Sequence, residues 1–217
     1  DARRGEGERG VGAVRIPAAL VFAALTFHAA AAQESSPLRT PSAIAETAPE
    51  TFRARFETNE GPFVIEVTRA WAPIAADRFY TLVTHGFYDG NRFHRVRPGF
   101  VAQWGLHGDP AIQRAWGMAP LRDDPAAGQS NVKGTVTFTT ENRPQSRFTQ
   151  VFVNLVDNEF LDKDGFIPFG RVVSGMEIVE KLHSYGREKE PDQRRIIRSG
   201  NEYLTAEYPE LDYVEKA

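Results

Sequence analysis

From Thr51 onward the chain alternates apolar and polar residues in short bursts. In TFRARFET (Thr51 to Thr58), Phe52, Ala54 and Phe56 fall on one face and polar residues on the other, the period of a half-buried strand. Asn59-Glu60-Gly61 is a turn signal, and FVIEV (Phe63 to Val67) reads as the returning strand. The period then changes. In APIAADRFYTLVTHGFY, Ala75, Ala76, Phe79, Leu82 and Val83 recur at helical spacing; Pro73 suits the first turn and Gly86 is placed to end the helix. FHRVRPGFVAQ (Phe93 to Gln103) returns to alternation, breaks at Pro98-Gly99 and resumes, giving two short strands.

Gly105 to Lys133 is rich in Gly, Pro, Asp and Ala and is expected to be a long loop. GTVTFTT (Gly134 to Thr140), QVFVNLVD (Gln150 to Asp157) and IPFGRVVS (Ile167 to Ser174) read as strands. GMEIVEKLHSYG (Gly175 to Gly186) reads as a helix with Met176, Val179 and Leu182 on one face, and Arg195 to Arg198 as a last strand. The tail NEYLTAEYPELDYVEKA is expected to be partly helical. Many short strands with two clear helices predict a mainly β fold built on a largely antiparallel, closed sheet.

Composition narrows the chemistry. With 217 residues, 41% apolar and 25% charged, the chain is sufficient for one domain with a filled core. Its net charge is −3, and beyond residue 32 there are 22 basic against 26 acidic side chains. That balance gives no footprint for nucleic acid or anionic lipid. The absence of cysteine excludes disulfides, thiolate catalysis and Cys-based zinc sites. His85, His107 and His183 are scattered without metal-ligand spacing, so neither a metal nor a cofactor is expected.

Arg3, Arg4, Arg9 and Arg15 precede the apolar run Ile16 to Phe27 and an Ala-x-Ala ending at Ala32, the pattern of a secretory signal peptide. An uncleaved membrane anchor is the rival reading, although the run is short against the roughly 20 residues a bilayer needs. The expected organisation is therefore 1-32 signal peptide or anchor, 33-50 flexible linker, 51-200 folded domain and 201-217 C-terminal extension. The protein is expected to be exported, to the periplasm or beyond, with the membrane a partner only if the leader stays attached.

The stretch FHRVRPGFVAQ sets Arg95, Phe100 and Gln103 close together. A surface strand has no use for the phenylalanine and a core strand none for the arginine; a shallow peptide-binding cleft uses all three. Taken singly, each has a plainer reading. Arg95 is a solvated strand charge, Phe100 and Phe152 are core, and Gln103 is a satisfied structural amide. His94 alternates away from Arg95 along the strand, which gives it a packing or hydrogen-bonding role.

FYDGNRFHRVRPGFVAQWGLHGDP (Phe87 to Pro110) resembles the signature of the cyclophilins, the cyclosporin-binding prolyl isomerases. GTVTFTT, TQVFVNL (Thr149 to Leu155) and FLDKDGFIPFGRVVSGMEIVEKL (Phe160 to Leu182) follow in the family's order, so the resemblance spans about residues 51 to 200. It implies an eight-stranded antiparallel β-barrel capped by two α-helices, with an active cleft on the outer face, a monomer, and proline-containing polypeptides as partners. By that resemblance Arg95 is catalytic, beside the prolyl nitrogen. Gln103 and Gln150 hold the substrate backbone, Phe100, Val101, Phe152 and Leu161 form an apolar cup, and Thr139, Thr140, Phe160 and Phe166 border it.

Three positions depart from the best-known eukaryotic pattern. Phe160 stands where that pattern has tryptophan, Phe166 where it has histidine, and Thr139-Thr140 where it has Ala-Asn. The first two resemble a common bacterial form of the family. Phe160 points to cyclosporin binding that is weak, and Phe166 removes a polar group from the pocket rim. A proline-peptide binding module or chaperone with little turnover, and an unrelated secreted barrel for small apolar ligands, are the competing readings.

Overall fold

The computed structural model describes residues 36–125, 128–141 and 143–217. The leader expected at 1–32 lies outside them. Strands β1 (Thr51–Thr58) and β2 (Gly61–Thr68) form a hairpin whose register runs from Thr51↔Thr68 to Thr58↔Gly61. Its alternation is realised: Ala54, Phe56, Phe63, Ile65 and Val67 are buried, while Arg53 pairs with Glu66 across the outer face at 2.9 Å. Helix α1 (Pro73–Thr84) buries Ala75, Ala76, Phe79 and Leu82. Its first free N–H groups, on Ile74 and Ala75, donate to the Asp124 carboxylate at 2.7 and 2.9 Å, so a residue far along the chain supplies the cap.

Six more strands complete the sheet: β3 (Arg95–Arg97), β4 (Val101–Trp104), β5 (Thr135–Phe138), β6 (Val151–Asn154), β7 (Pro168–Ser174) and β8 (Val214–Lys216). Their order is β3-β4-β6-β5-β7-β2-β1-β8, with every pairing antiparallel. The sheet curls around an aromatic core in which Phe56 stacks on Phe63 at 5.0 Å and Phe79 packs on Phe169 at 4.9 Å. The expected closed barrel is slightly overstated. Edge strands β3 and β8 are three residues each and are not paired with each other; the isolated bridge Arg92↔Tyr213 lies outside both, so no continuous ladder closes the circle among the described residues.

Four α-helices, not two, accompany the sheet among the described residues. Besides α1 these are α2 (Pro110–Trp116), α3 (Met176–Lys181) and α4 (Gln193–Glu207). Helix α2 interrupts the stretch expected as one long loop. Asp109 caps it by accepting from Ala111 N at 2.7 Å, and its buried Trp116 donates to the Leu38 carbonyl at 2.9 Å. That contact also corrects the linker: residues 37–50 are not a free tether, because Leu38 and Ala48 are buried and Ala48 N donates to Asp77.

The strand expected at Arg195–Arg198 is instead part of α4. Asp192 caps the helix by accepting from Arg194 N and Arg195 N, and Ile196, Tyr203 and Leu204 share its buried face. Ile196 lies before the break at Gly200 and Tyr203 and Leu204 after it, so a four-residue window shows none of this packing. The last strand comes from the supposed extension, β8, and the boundary expected at residue 200 falls inside α4. There the helix breaks. Gly200 has φ +56 and ψ −142, and the residue just past it ties the break to the loop ahead of α2, where Asn201 N donates to Gly108 O at 3.0 Å. A Cβ at Gly200 would overlap the Gly108 carbonyl. Gly200→Ala is therefore expected to destabilise by about 1–3 kcal/mol, read as a lowered urea midpoint, with Ser199→Ala as the neutral control.

Candidate functional site

The strand order brings the sequence-distant residues onto one rung. Arg95 faces Gln103 across β3–β4, and Gln103 faces Phe152 across β4–β6. Antiparallel partners carry side chains to the same face, so the cation, the amide and the aromatic ring line up across three strands. Arg95 Nη1 donates to Gln103 Oε1 at 2.8 Å, and Gln103 Nε2 donates to Gln150 Oε1 at 2.8 Å. The Arg95 guanidinium carbon also lies 5.5 Å from the centroid of Phe100. The β3–β4 turn is held in place because the Phe100 carbonyl accepts from Leu155 N at 2.9 Å and Asn158 Nδ2 at 3.0 Å. Gly105, with φ +104, lets β4 pass so close to Thr149 that any Cβ would meet its carbonyl oxygen.

These side chains open on a cavity of about 300 Å³. Its lining includes Arg95, Phe100, Val101, Gln103, Thr139, Thr140, Gln150, Phe152, Leu161 and Phe166. Of the residues expected at the site, Phe160 alone stands outside: it is 54% exposed and stacks on Phe100 at 6.1 Å with the rings 13° apart. Phe166 packs edge-on against Phe152 at 5.7 Å. A wider groove of about 480 Å³ lies beyond Thr140, lined largely by charged groups such as Asp123, Arg147 and Lys163. The smaller cavity is where the cation and the apolar surface converge.

Some of the supporting residues had no sequence signal. Glu141 and Gln193 also line the cavity, and Asn131, from the supposed loop, is its fully buried hinge. Asn131 Nδ2 donates to Asp162 Oδ1 and to the Phe166 carbonyl, both at 2.7 Å, while its Oδ1 accepts from Thr137 Oγ1 at 2.9 Å and Asn154 Nδ2 at 3.2 Å. One side chain thus ties the segment bearing Leu161 and Phe166 to β5 and β6. An isolated Asn between Ser130 and Val132 carries no period that would reveal this.

Burial pushes Arg95 below its ordinary pKa, and neighbouring Arg97 and Arg187 push the same way, with Glu190 opposing. The guanidinium stays charged at neutral pH. His94 is buried, and neither ring nitrogen makes a hydrogen bond of normal geometry among the described residues. Burial pulls its pKa down to about 4, only partly opposed by the Arg92 carbonyl and Gln150. It is a neutral packing group. Among the described residues no cluster of three or more His, Asp or Glu side chains could hold a metal.

The profile of the family described as cyclophilin type peptidyl-prolyl cis-trans isomerase/CLD matches residues 53–201. The chain belongs to the cyclophilins. As a member of that family it is a peptidyl-prolyl cis-trans isomerase. A peptidyl-prolyl cis-trans isomerase of Acinetobacter baylyi is 35% identical over 130 residues, which cover 58% of this cyclophilin and 69% of the relative. Peptidyl-prolyl cis-trans isomerase B of Escherichia coli is 33% identical over 134 residues, covering 58% and 81%. A crystal structure of a Cryptosporidium parvum cyclophilin type peptidyl-prolyl cis-trans isomerase shares the fold with a TM-score of 0.56 at 20% identity, over 76% of this chain and 95% of that one. A second structure of that protein, in the presence of the dipeptide Ala-Pro, matches with a TM-score of 0.51 at 23% identity, over 63% and 89%.

The neutral His94 makes stability depend on pH in a known direction. Above its unfolded pKa of about 6.5 both states are neutral. As pH falls, the unfolded chain takes up a proton that the folded chain refuses until about pH 4, so stability is lost across that window. Between pH 7 and 4.5 the wild type is expected to lose about 2–3 kcal/mol more than His94→Gln in urea unfolding. Equal losses would show that His94 titrates normally in the fold.

Proposed function

We propose that this cyclophilin accelerates cis-trans exchange at X-Pro bonds of exported polypeptides, with Arg95 as its catalytic residue. The observation that carries the reading is the Arg95–Gln103–Phe152 rung lining a cavity whose apolar wall is Phe100, Val101, Leu161 and Phe166. Rotation about a peptide bond is opposed by about 18–20 kcal/mol because the nitrogen lone pair is delocalised into the carbonyl. No bond has to break, so no nucleophile or metal is required. What is needed is a grip on the proline ring and a charge that favours the twisted amide over the planar one.

Phe100, Val101, Phe152, Leu161 and Phe166 provide the grip. Arg95 donates to the amide nitrogen as twisting returns the lone pair to it, an interaction that grows only on the way to the transition state. Gln103 aims the guanidinium and, with Gln150, Thr139 and Thr140, holds the substrate backbone in register. The Ala-Pro dipeptide named with the Cryptosporidium structure fits the same substrate class. The protein acts as a monomer in this reading, and it binds cyclosporin weakly, since Phe160 is half-exposed and has no N–H to donate. The basic, apolar, Ala-ending leader supports export and a role in client folding.

In a chromogenic assay with a proline-containing peptide, Arg95→Ala is expected to lower kcat/KM by about 10²–10³-fold. Equal rates would remove Arg95 from its role. Affinity for the peptide with no exchange in either protein would leave a binding module. Cyclosporin added to the same assay should inhibit only weakly. Mass spectrometry of the exported chain should find Gln33 at the amino terminus; retention of the leader would make the protein membrane-anchored.

A further inference from the structure

Strand β3 places Arg95 and Arg97 on the same face, two residues apart. Both are only partly exposed, with 23% and 25% of the side-chain surface open. Two partly buried like charges so close repel, and the easiest relief is for one to swing into water. The structure answers this with Glu190, from the segment between α3 and α4. Its Oε1 accepts from Arg97 Nε at 2.5 Å, and its Oε2 accepts from Arg97 Nη2 at 2.7 Å. The same Oε2 lies 3.8 Å from Arg95 Nε.

The contact is unequal. Arg97 receives a two-toothed ion pair, whereas Arg95 receives a longer attraction at its Nε edge and keeps Nη1 on Gln103. The carboxylate is itself held, being 15% exposed on a segment pinned at both ends. On one side Ser184 Oγ donates to the Val96 carbonyl, on the β3 backbone between the two arginines. On the other, Asp192 begins α4, whose first residue Gln193 lines the cavity.

We propose that Glu190 is the positioning residue for Arg95: it occupies Arg97 and draws the Nε edge of Arg95 inward, so that the Nη edge faces Gln103 and the substrate. This rests on the reading of Arg95 as the catalytic residue. Without the carboxylate, the two arginines repel and Arg95 leaves its station. Without Arg97, the carboxylate turns fully onto Arg95 and consumes its charge. Removing both leaves Arg95 with Gln103 and no competitor.

The test is a double-mutant cycle. Glu190→Gln and Arg97→Gln should each lower kcat about tenfold with KM within about twofold, and the double variant should recover to within about threefold of wild type. A residue that merely braces the fold does not give such mutual rescue. The activity-independent readout is the NMR signal of the Arg95 Nε–Hε group, assigned by its loss in Arg95→Lys. It should be sharp in the wild type, broadened in Glu190→Gln and sharp again in the double variant. A double variant no better than the weaker single overturns the proposal, as does a Glu190→Gln protein with wild-type kcat and an unchanged Nε–Hε signal. Should Glu190→Gln fail to fold, Arg97→Gln decides: wild-type kcat there overturns the proposal. If the wild type itself lacks isomerase activity, the isomerase reading fails and the NMR series alone judges the positioning claim.

Discussion

A half-buried cation held by neutral amides is the constraint on which the rest of this structure depends. Arg95 is bonded through Gln103 to Gln150, each link 2.8 Å long, so it is oriented without being neutralised at its Nη1 edge. A carboxylate there would bind more strongly and take the charge with it. Burial makes the guanidinium costly and lowers its pKa, with the Glu190 carboxylate at its Nε edge only partly opposing. The same burial makes its field effective, since each interaction strengthens as water is excluded. The fold around the site exists to hold that compromise.

Holding it takes rigid strands and a braced loop. The rung across β3, β4 and β6 fixes where Arg95, Gln103 and Phe152 stand, because antiparallel register leaves no freedom of face. The other wall, bearing Leu161 and Phe166, lies outside the sheet and is set by Asn131. This amide bonds a carboxylate, a carbonyl, a hydroxyl and another amide, and because it is fully buried each missing partner would go unanswered. One face of the cleft is therefore positioned by backbone ladders and the other by a polar knot.

That division explains what could be read from the chain. The hairpin of β1 and β2, helix α1 and the β3–β4 pair follow from local period, and ten of the twelve residues that line the cavity followed from the resemblance carried by the ordered motifs. What escaped lies in long-range contacts. Residues 37–50 look like a tether until Trp116 meets Leu38, and Arg195–Arg198 resembles a strand until Asp192 caps it as the first turns of a helix. Glu141, Gln193 and Glu190 are ordinary charged or polar residues in sequence; only the folded chain brings them to the cavity or to Arg95. Phe160 shows the reverse. The resemblance placed it at the rim, yet it is not among the cavity's lining residues and stacks on Phe100.

The aromatic substitutions make sense in the same terms. Phe166 packs edge-on to Phe152 and contributes no donor, so the ring pocket is more apolar than one rimmed by histidine. Ring binding relies on displaced water and shape, both of which tolerate such an exchange. In the proposed mechanism rotation relies on one donor whose interaction differs between planar and twisted amide, and that requirement does not tolerate exchange. A pocket of this kind can therefore vary widely in its walls while its arginine and the amides that aim it stay fixed. On the proposed reading, substrate preference is set by the walls, and the chemistry by a single hydrogen-bonded charge.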